Sequence, residues 1–391
     1  MKKRIISIGL IITMLCTVTA TAQEGKAVAR QVRQLLEKET IQRAEAALEA
    51  VPVTVTATRA ERSLGGIHDF YSEGDYWWPD PQNPDGPYIR RDGETNPDNF
   101  TAHRKAMIRF SQIVGDLTSA WLLTGESKYT DAVMKHLRAW FIDPATLMNP
   151  NLLYAQAIKG VATGRGIGII DTIHLIEVVQ SLRIMEEKGI INKEDLKALK
   201  LWFTDYLTWM STHRYGVSEM NAKNNHGTCW VMQAAAFALF TDNEEMIRFC
   251  TERYKTVLLP GQMATDGSFP LELERTKPYG YSLFNLDAMA TICQLLTTGQ
   301  EDLWNYTVDG KSIDKGIAWL FPFVKDKGKW KKQPDIMFWE EWPVAHPFLL
   351  FGVLHHFNST YLETWAQLEH FPTNEEVVRN LPIRHPLLWI H

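Results

Sequence analysis

The sequence predicts an all-α protein of helical hairpins set in series, either a solenoid or an α/α toroid, an incomplete α/α barrel. Three observations carry that class. Apolar residues recur at helical spacing along most of the chain, turn signals interrupt the pattern at hairpin-length intervals, and strand-like alternation is nearly absent. A chain of 391 residues buries a large core without a disulfide or metal staple. With 45% apolar and 22% charged residues it is neither a disordered chain, a collagen-like fibre nor a multi-span membrane protein.

The N-terminus reads as an address. Lys2, Lys3 and Arg4 form a basic start, residues 5–18 are apolar but too short for a stable span, and Ala20-Thr21-Ala22 offers small residues for cleavage after Ala22. Leu15 is too large to make Cys16 a lipoprotein anchor. The expected organisation is a signal peptide over 1–22 and a single catalytic domain over 23–391, periplasmic or secreted. Loss of the three cations takes the formal charge from −5 to −8. No basic footprint for nucleic acid remains, and no membrane partner is expected after cleavage. A net acidic enzyme can still act on an acidic polymer, provided that cations gather in its cleft. Cys229, Cys250 and Cys293 lie in apolar helical stretches, and their odd number argues for buried free thiols over a disulfide framework.

Helical periodicity covers 27–50, 102–123, 129–141 and then 171–187, where Asp171 is read as an acidic N-cap and Gly189 as the stop. It continues over 192–211, 226–240, 244–259, 282–298, 312–323 and 347–368. The one strand candidate is 51–58. Two long segments, 65–99 and 259–281, break the rhythm, and long loops on a rigid scaffold are where function tends to sit.

Four motifs carry chemistry. In NAKNNHGTCW (221–230), Asn224, Asn225 and His226 stand where an apolar helix begins. An Asn N-cap accounts for one amide, but not for two amides and an imidazole; such a helix start can hold a carboxylate. In LELERTKPYGYSLFNLDAM (271–289), Pro278 and Gly280 argue for a loop over 275–281 that presents Arg275 and a phenol to one point. Spacing alone does not choose between Tyr279 and Tyr281, and a surface arginine beside a packing tyrosine accounts equally well for the pair. In DYWWPDPQNPDGPYIRRDGETNP (75–97), Trp77, Trp78, Tyr88, Arg90 and Arg91 suit a groove for an acidic sugar, or a proline-stiffened cover over helix ends. The abundance of tryptophan, 14 residues, fits sugar stacking as well as a Trp-rich core. TGRGIGIID (163–171) lacks the preceding strand of a nucleotide-binding fingerprint, so Arg165 is read as a cleft residue or loop anchor. There is no HExxH, CxxC or GxSxG, so no metal and no cofactor are expected.

At these motifs the chain resembles the alginate lyase superfamily of polysaccharide lyases. NNHGTCW, ERTKPYGYSLFNLDAM, YWWPDP with PYIRRDGE, GRGIGIID and the ending EVVRNLPIRHPLLW carry the likeness, which spans most of the chain after the signal. Within the superfamily it is most similar to polysaccharide lyase family thirty-eight. The resemblance implies an α/α toroid, no metal, and β-elimination on a 1,4-linked polyuronate, alginate first. It maps Asn225 and His226 onto the family's Asn-His pair, Arg275 onto its arginine and Tyr281 onto its tyrosine, which settles the choice against Tyr279. Trp77, Trp78, Tyr88, Arg90, Arg91, Arg165, Asn224 and Tyr279 remain candidates for binding the acidic polysaccharide. The better-known alginate lyases of family five space Arg and Tyr one residue further apart, so their substrate preference does not carry over.

The chemistry fits. Removing the C5 proton of a uronate requires the carboxylate to be neutralised and the enolate held, here by Asn225 and Arg275 with help from His226. Arg275 is expected to favour phenolate at Tyr281. Tyr281 then serves as both base and acid when proton and leaving oxygen share a face; on opposite faces His226 is the base and Tyr281 the acid. Competing readings are a glucuronan lyase, a glycoside hydrolase using paired carboxylates such as Glu274 and Glu341, and a non-catalytic glycan-binding protein.

Overall fold

The computed structural model describes the backbone of residues 4–390 and the side chains of residues 23–390. The expected signal peptide therefore falls on positions whose side chains lie outside the described residues. The helices are α1 (Arg4–Leu48), α2 (Ala102–Thr124), α3 (Ser127–Phe141), α4 (Leu175–Glu187), α5 (Lys193–Thr212), α6 (Arg214–Met220), α7 (Asn225–Phe240) and α8 (Glu244–Arg253). They continue as α9 (Leu259–Gln262), α10 (Pro270–Leu273), α11 (Pro278–Leu296), α12 (Ile313–Lys325), α13 (Pro347–His356), α14 (Ser359–Gln367) and α15 (Glu375–Arg379).

The apolar stripes dictate how these helices nest. α7 and α11 are apolar on every face, as helices enclosed by others must be. α2 packs on α4, α4 on α7, α7 on α11 and α11 on α13, an inner layer that curves until α1 touches both α2 and α13. α3, α5, α8, α12 and α14 lie against the outside of that layer. The result is an α/α toroid, one of the two hairpin architectures that the periodicity allows and the one that the resemblance implies. Some polar groups trapped in the inner layer pair with one another: Gln233 accepts a hydrogen bond from Thr172 at 2.8 Å, and Asp287 meets the His346 ring at 2.7 Å. Cys229, Cys250 and Cys293 are free, buried thiols. Among the described residues, no helix is long and apolar enough to cross a membrane.

Several boundaries differ from the sequence expectation, each for a local reason. Residues 51–58 form no strand. Thr54 donates to the Thr146 carbonyl at 2.7 Å and caps a single 3-10 turn over Val55–Ala57. Strands arise instead inside the long loops, where periodicity is too short to register. β1 (Tyr71–Glu73) pairs in parallel with β4 (Tyr154–Ala157), and β2 (Trp77–Trp78) pairs antiparallel with β3 (Ile89–Arg90). Asp171 is no N-cap; it is buried in a 3-10 stretch (Gly166–Thr172) ahead of α4, bound to Arg104, Ser72 and Gln156. After α8, a π-helical turn (Tyr254–Leu258) carries the chain into α9. The 347–368 helix is two helices. Phe357 turns left-handed at φ 52°, and Asn358 caps α14 by accepting from the Thr360 and Tyr361 N–H groups.

The segment 275–281 is the functional correction. Pro278 does not prevent a helix but starts one, since its missing N–H would have been unpaired in the first turn. The next two N–H groups, of Tyr279 and Gly280, donate to the Asp335 carboxylate at 2.8 Å each. A Cβ at position 280 would stand 2.8 Å from that carboxylate and push it off the two N–H groups it holds.

The ring is locked near its closure by a buried ionic cluster. Glu177 on α4 accepts from the His385 backbone N–H at 2.8 Å and from its Nδ1 at 2.7 Å. The opposite ring nitrogen lies 3.3 Å from Asp116 on α2, which also pairs with Arg43 on α1 at 3.2 Å. Burial lowers the His385 pKa, but Glu177 and Asp116 outweigh it and the net shift is upward; burial raises Glu177, yet His385 carries it below its ordinary value. By linkage, the His385 contribution to stability is lost as pH rises through its raised value, and the Glu177 contribution as pH falls through its lowered one. Glu177→Ala strands a buried imidazole and is expected to lower the unfolding free energy by about 3–5 kcal/mol in chemical denaturation.

Candidate active site

The site is built on the N-termini of α7 and α11. Asn224, extended at the N-cap of α7, does not cap with its side chain and faces the cleft instead. The first free N–H of the helix, that of Asn225, donates to Glu272 Oε1 at 2.7 Å, and the Asn225 side-chain amide donates to Oε2 of the same carboxylate at 2.7 Å. Glu272 comes from α10 and is almost wholly buried. The anion at this helix start is therefore one of the protein's own, so the first helix N–H is not open to an incoming anion. His226 follows one residue into the helix. Its Nδ1 lies 2.6 Å from Oε1 of the buried Glu219 on α6.

Arg275 and Tyr281 enter from the turn after α10 and the first turn of α11. The Arg275 Nη2 lies 3.5 Å from the Tyr281 hydroxyl, with its guanidinium carbon 4.5 Å from that ring's centroid. Asp92 orients the guanidinium through Nε at 3.3 Å and Nη2 at 3.0 Å, and Thr276 holds Asp92 from behind at 3.0 Å. Nη1 of Arg275 makes no hydrogen bond to a described residue. The Tyr281 hydroxyl shares a proton with the Tyr76 hydroxyl at 2.6 Å.

His226, Arg275, Tyr281 and Tyr76 line one cleft of about 400 Å³ that also takes in Trp77, Arg90, Arg165, Asn224 and Asn225. Arg165 is tied by its Nε to the Gln156 carbonyl at 2.7 Å and lies over the Trp77 ring, so it is both cleft residue and loop anchor. A larger cavity, about 980 Å³, shares Asp75 and Arg379 with the cleft as walls, but no tyrosine or histidine lines it. Size favours that cavity; the presence of proton-transfer groups decides for the smaller one.

Four predicted binding residues fall elsewhere. Tyr279 is fully buried two positions before Tyr281, donating to the Phe323 carbonyl at 3.1 Å, because two residues along a helix point to nearly opposite sides. Trp78 donates to the Glu94 carbonyl at 2.9 Å and carries Arg91 over its ring at 5.0 Å, outside the cleft. Tyr88 pairs with Lys159 rather than lining the cleft. Glu274 and Glu341 do not line it either, and the carboxylates that do, Asp75 and Asp171, are bound to Arg104 and Arg379. The paired-carboxylate reading thus loses its pair.

Electrostatics correct a further expectation. Burial and Tyr76 push the Tyr281 pKa well above its ordinary value, and Arg275 offsets only part of that, so the resting group is a phenol. Burial lowers His226, but Glu219 and then Glu272 outweigh it and its pKa is raised. Burial also raises Glu272 against the pull of Asn225 and Arg275. Burial lowers Arg165 to about 10, which leaves it cationic at neutral pH. Sequence reasoning missed Tyr76, Glu219, Asp92 and the clamp by Glu272. Tyr76 sat in plain view beside the tryptophan pair; Glu272 stands two residues before Glu274, and no local pattern marks it as buried. Among the described residues, no group of three or more His, Cys, Asp or Glu side chains is disposed to hold a metal ion.

Residues 54–330 match the sequence model of the alginate lyase family. No curated protein matches the chain. Among solved structures, an alginate lyase from Bacteroides ovatus superposes with a TM-score of 0.78 at 31% identity, covering 94% of this chain and 97% of that one. Alginate lyase A1-III complexed with a tetrasaccharide superposes at TM-score 0.56 with 15% identity, covering 88% of each chain. The same enzyme from Sphingomonas species A1 gives 0.54 at 15% identity, covering 89% of this chain and 90% of that one. At that identity the likeness to A1-III is one of fold.

The buried position of Tyr279 gives a direct expectation. Tyr279→Phe leaves the Phe323 carbonyl unpaired and lowers stability by about 1–3 kcal/mol in thermal or chemical unfolding. Turnover stays within about tenfold of wild type, under ~1.4 kcal/mol of barrier.

Proposed function

Because the chain belongs to the alginate lyase family, and is a polysaccharide lyase, we propose that it cleaves alginate by β-elimination at the Tyr281–His226–Arg275 cleft. The observation that carries this reading is the convergence, in one cleft, of a phenol kept protonated, an imidazole and an arginine with a free edge. Elimination needs these three functions at once: an acid at the leaving oxygen, a base at C5 and a cation at the uronate carboxylate. The finer placement in polysaccharide lyase family thirty-eight rests on the NNHGTCW and YSLFNLDAM motifs. Export to the periplasm or beyond rests on residues 1–22.

In this mechanism the free Nη1 of Arg275 and the Asn224 amide meet the carboxylate, with Asn225 held in place beside them. His226 takes the C5 proton through Nε2. The electron pair forms the C4–C5 double bond, the C4–O bond breaks, and Tyr281 protonates the departing oxygen. The raised pKa of Tyr281 suits the acid. Guluronate presents its C5 proton on the face opposite the leaving oxygen, where an imidazole and a phenol on separate elements divide the work. Mannuronate, its C5 epimer, presents both on one face, and Tyr281 must then act at both.

Tyr281→Phe keeps the ring and is expected to lower the initial rate by about 10²–10⁴-fold or more, roughly 3–5 kcal/mol of barrier. The assay is ultraviolet absorbance of the conjugated product, with thermal unfolding as the fold control. A Tyr281→Phe enzyme at wild-type rate contradicts the assignment. His226→Ala is expected to harm cleavage at guluronate more than at mannuronate. With His226 as base, kcat/KM on guluronate rises as pH rises through its raised pKa. Since side chains neutralise the carboxylate, rates are expected to survive chelation; complete loss restored by one added divalent ion contradicts this.

A further inference from the structure

We propose that Glu219 is a positioning residue of the elimination, its carboxylate fixing the His226 ring so that Nδ1 is turned inward and Nε2 faces the sugar. The inference rests on the reading of His226 as the base. Glu219 Oε1 lies 2.6 Å from His226 Nδ1, and the carboxylate makes no hydrogen bond to any other described residue. The Glu219 side chain is 2% exposed and the His226 side chain 20% exposed. A carboxylate buried for this single contact is poor value for stability, since an apolar residue of similar size would avoid its desolvation. Its effect on the ring is specific. An acceptor at Nδ1 holds the proton there, leaves the Nε2 lone pair on the opposite edge, and stabilises the imidazolium formed when Nε2 takes the C5 proton.

The backbone gives Glu219 little room to retreat. A Cβ at Gly216 would meet the Met210 carbonyl oxygen at 1.8 Å, and one at Gly227 the Ala222 carbonyl oxygen at 2.2 Å. A Cβ at Gly166 would meet the Tyr215 carbonyl oxygen at 2.6 Å. α6 is therefore pressed backbone to backbone against the end of α5, the 3-10 stretch and, through the turn at Ala222, the start of α7. Glu219 and His226 sit on elements that cannot slide apart without opening these contacts.

The charged and titratable groups around His226 are Glu219 from α6, Glu272 from α10, Arg275 from the following turn, Tyr281 from α11, and, lining the same cleft, Tyr76, Arg90, Arg165, Asp75, Asp171 and Arg379. Of these, only Glu219 hydrogen-bonds the ring. Removing its charge while keeping its shape is therefore expected to move the acid limb of the pH–rate profile to lower pH.

The test compares the full-length wild type with Glu219→Gln, Glu219→Asp and His226→Ala on polyguluronate, following kcat and KM across pH with thermal unfolding alongside. The expected Glu219→Gln enzyme has kcat lower by about tenfold to a hundredfold, KM within about threefold, and the acid limb displaced downward. Glu219→Asp, which keeps the charge at shorter reach and stands in if Glu219→Gln does not fold, is expected to keep the wild-type acid limb with a smaller loss in kcat. Wild-type kcat and an unmoved acid limb in Glu219→Gln, with His226→Ala inactive, overturn the positioning role and leave the proposed function standing. An acid limb displaced in Glu219→Asp as far as the Gln change is expected to move it also overturns the inference. A His226→Ala enzyme at full rate, or a wild type that yields no unsaturated product, overturns the inference together with the reading beneath it.

Discussion

An acidic group can enter a largely buried cleft only if a cation with an open edge meets it there, and the allocation of arginines decides where that happens. Asp75 takes Arg104 at 2.6 Å and also Arg379, while Asp171 lies 3.2 Å from Arg104. These contacts bind the 65–99 loop to α2, to the 3-10 stretch before α4 and to the C-terminal α15. They also consume the anions of the cleft, so that neither carboxylate repels an incoming one. Arg165, which has no ion pair among the described residues, and Arg90 and Arg275, which share Asp92, are what remains facing the space. Asp92 holds Arg275 by two of its nitrogens, orienting the guanidinium without covering its third. Desolvated charge is tolerated here because each buried carboxylate has a partner of defined geometry.

The same principle governs the proposed reacting groups. Glu272 fixes Asn225 and Glu219 fixes His226, each from a different element and each from within the core. Tyr281 has no carboxylate; Tyr76 holds it instead. That difference sorts their chemistry. An imidazole against a carboxylate readily accepts a proton on its other edge, whereas a buried phenol bound to another phenol keeps the one it has.

Periodicity made the helices legible, because a hairpin toroid repeats the same amphipathic solution along the chain. The start of α7 and the group Asn224, Asn225 and His226 were legible for a related reason: polar residues interrupt an apolar run where a helix must begin. The start of α11 was not. Pro278 reads as a breaker until Asp335, 55 residues beyond Gly280, is seen to receive two N–H groups of the first turn. The rivalry between Tyr279 and Tyr281 had the same root, since only a helix at that point sends the two side chains to opposite sides. Glu219 and Glu272 act across gaps of 7 and 47 residues that no local pattern marks. The phenolate expectation failed because it counted the charge of Arg275 and could not count burial or Tyr76.

The central claim is that the glycosidic linkage is cut by elimination and not by hydrolysis. Mass spectrometry of a single cleavage in an oligouronate of defined length tests it most directly, since elimination adds no water across the broken bond. The account predicts two fragments whose masses sum to that of the parent, one of them carrying the conjugated double bond. Fragments summing to the parent plus one water, both saturated, would contradict it.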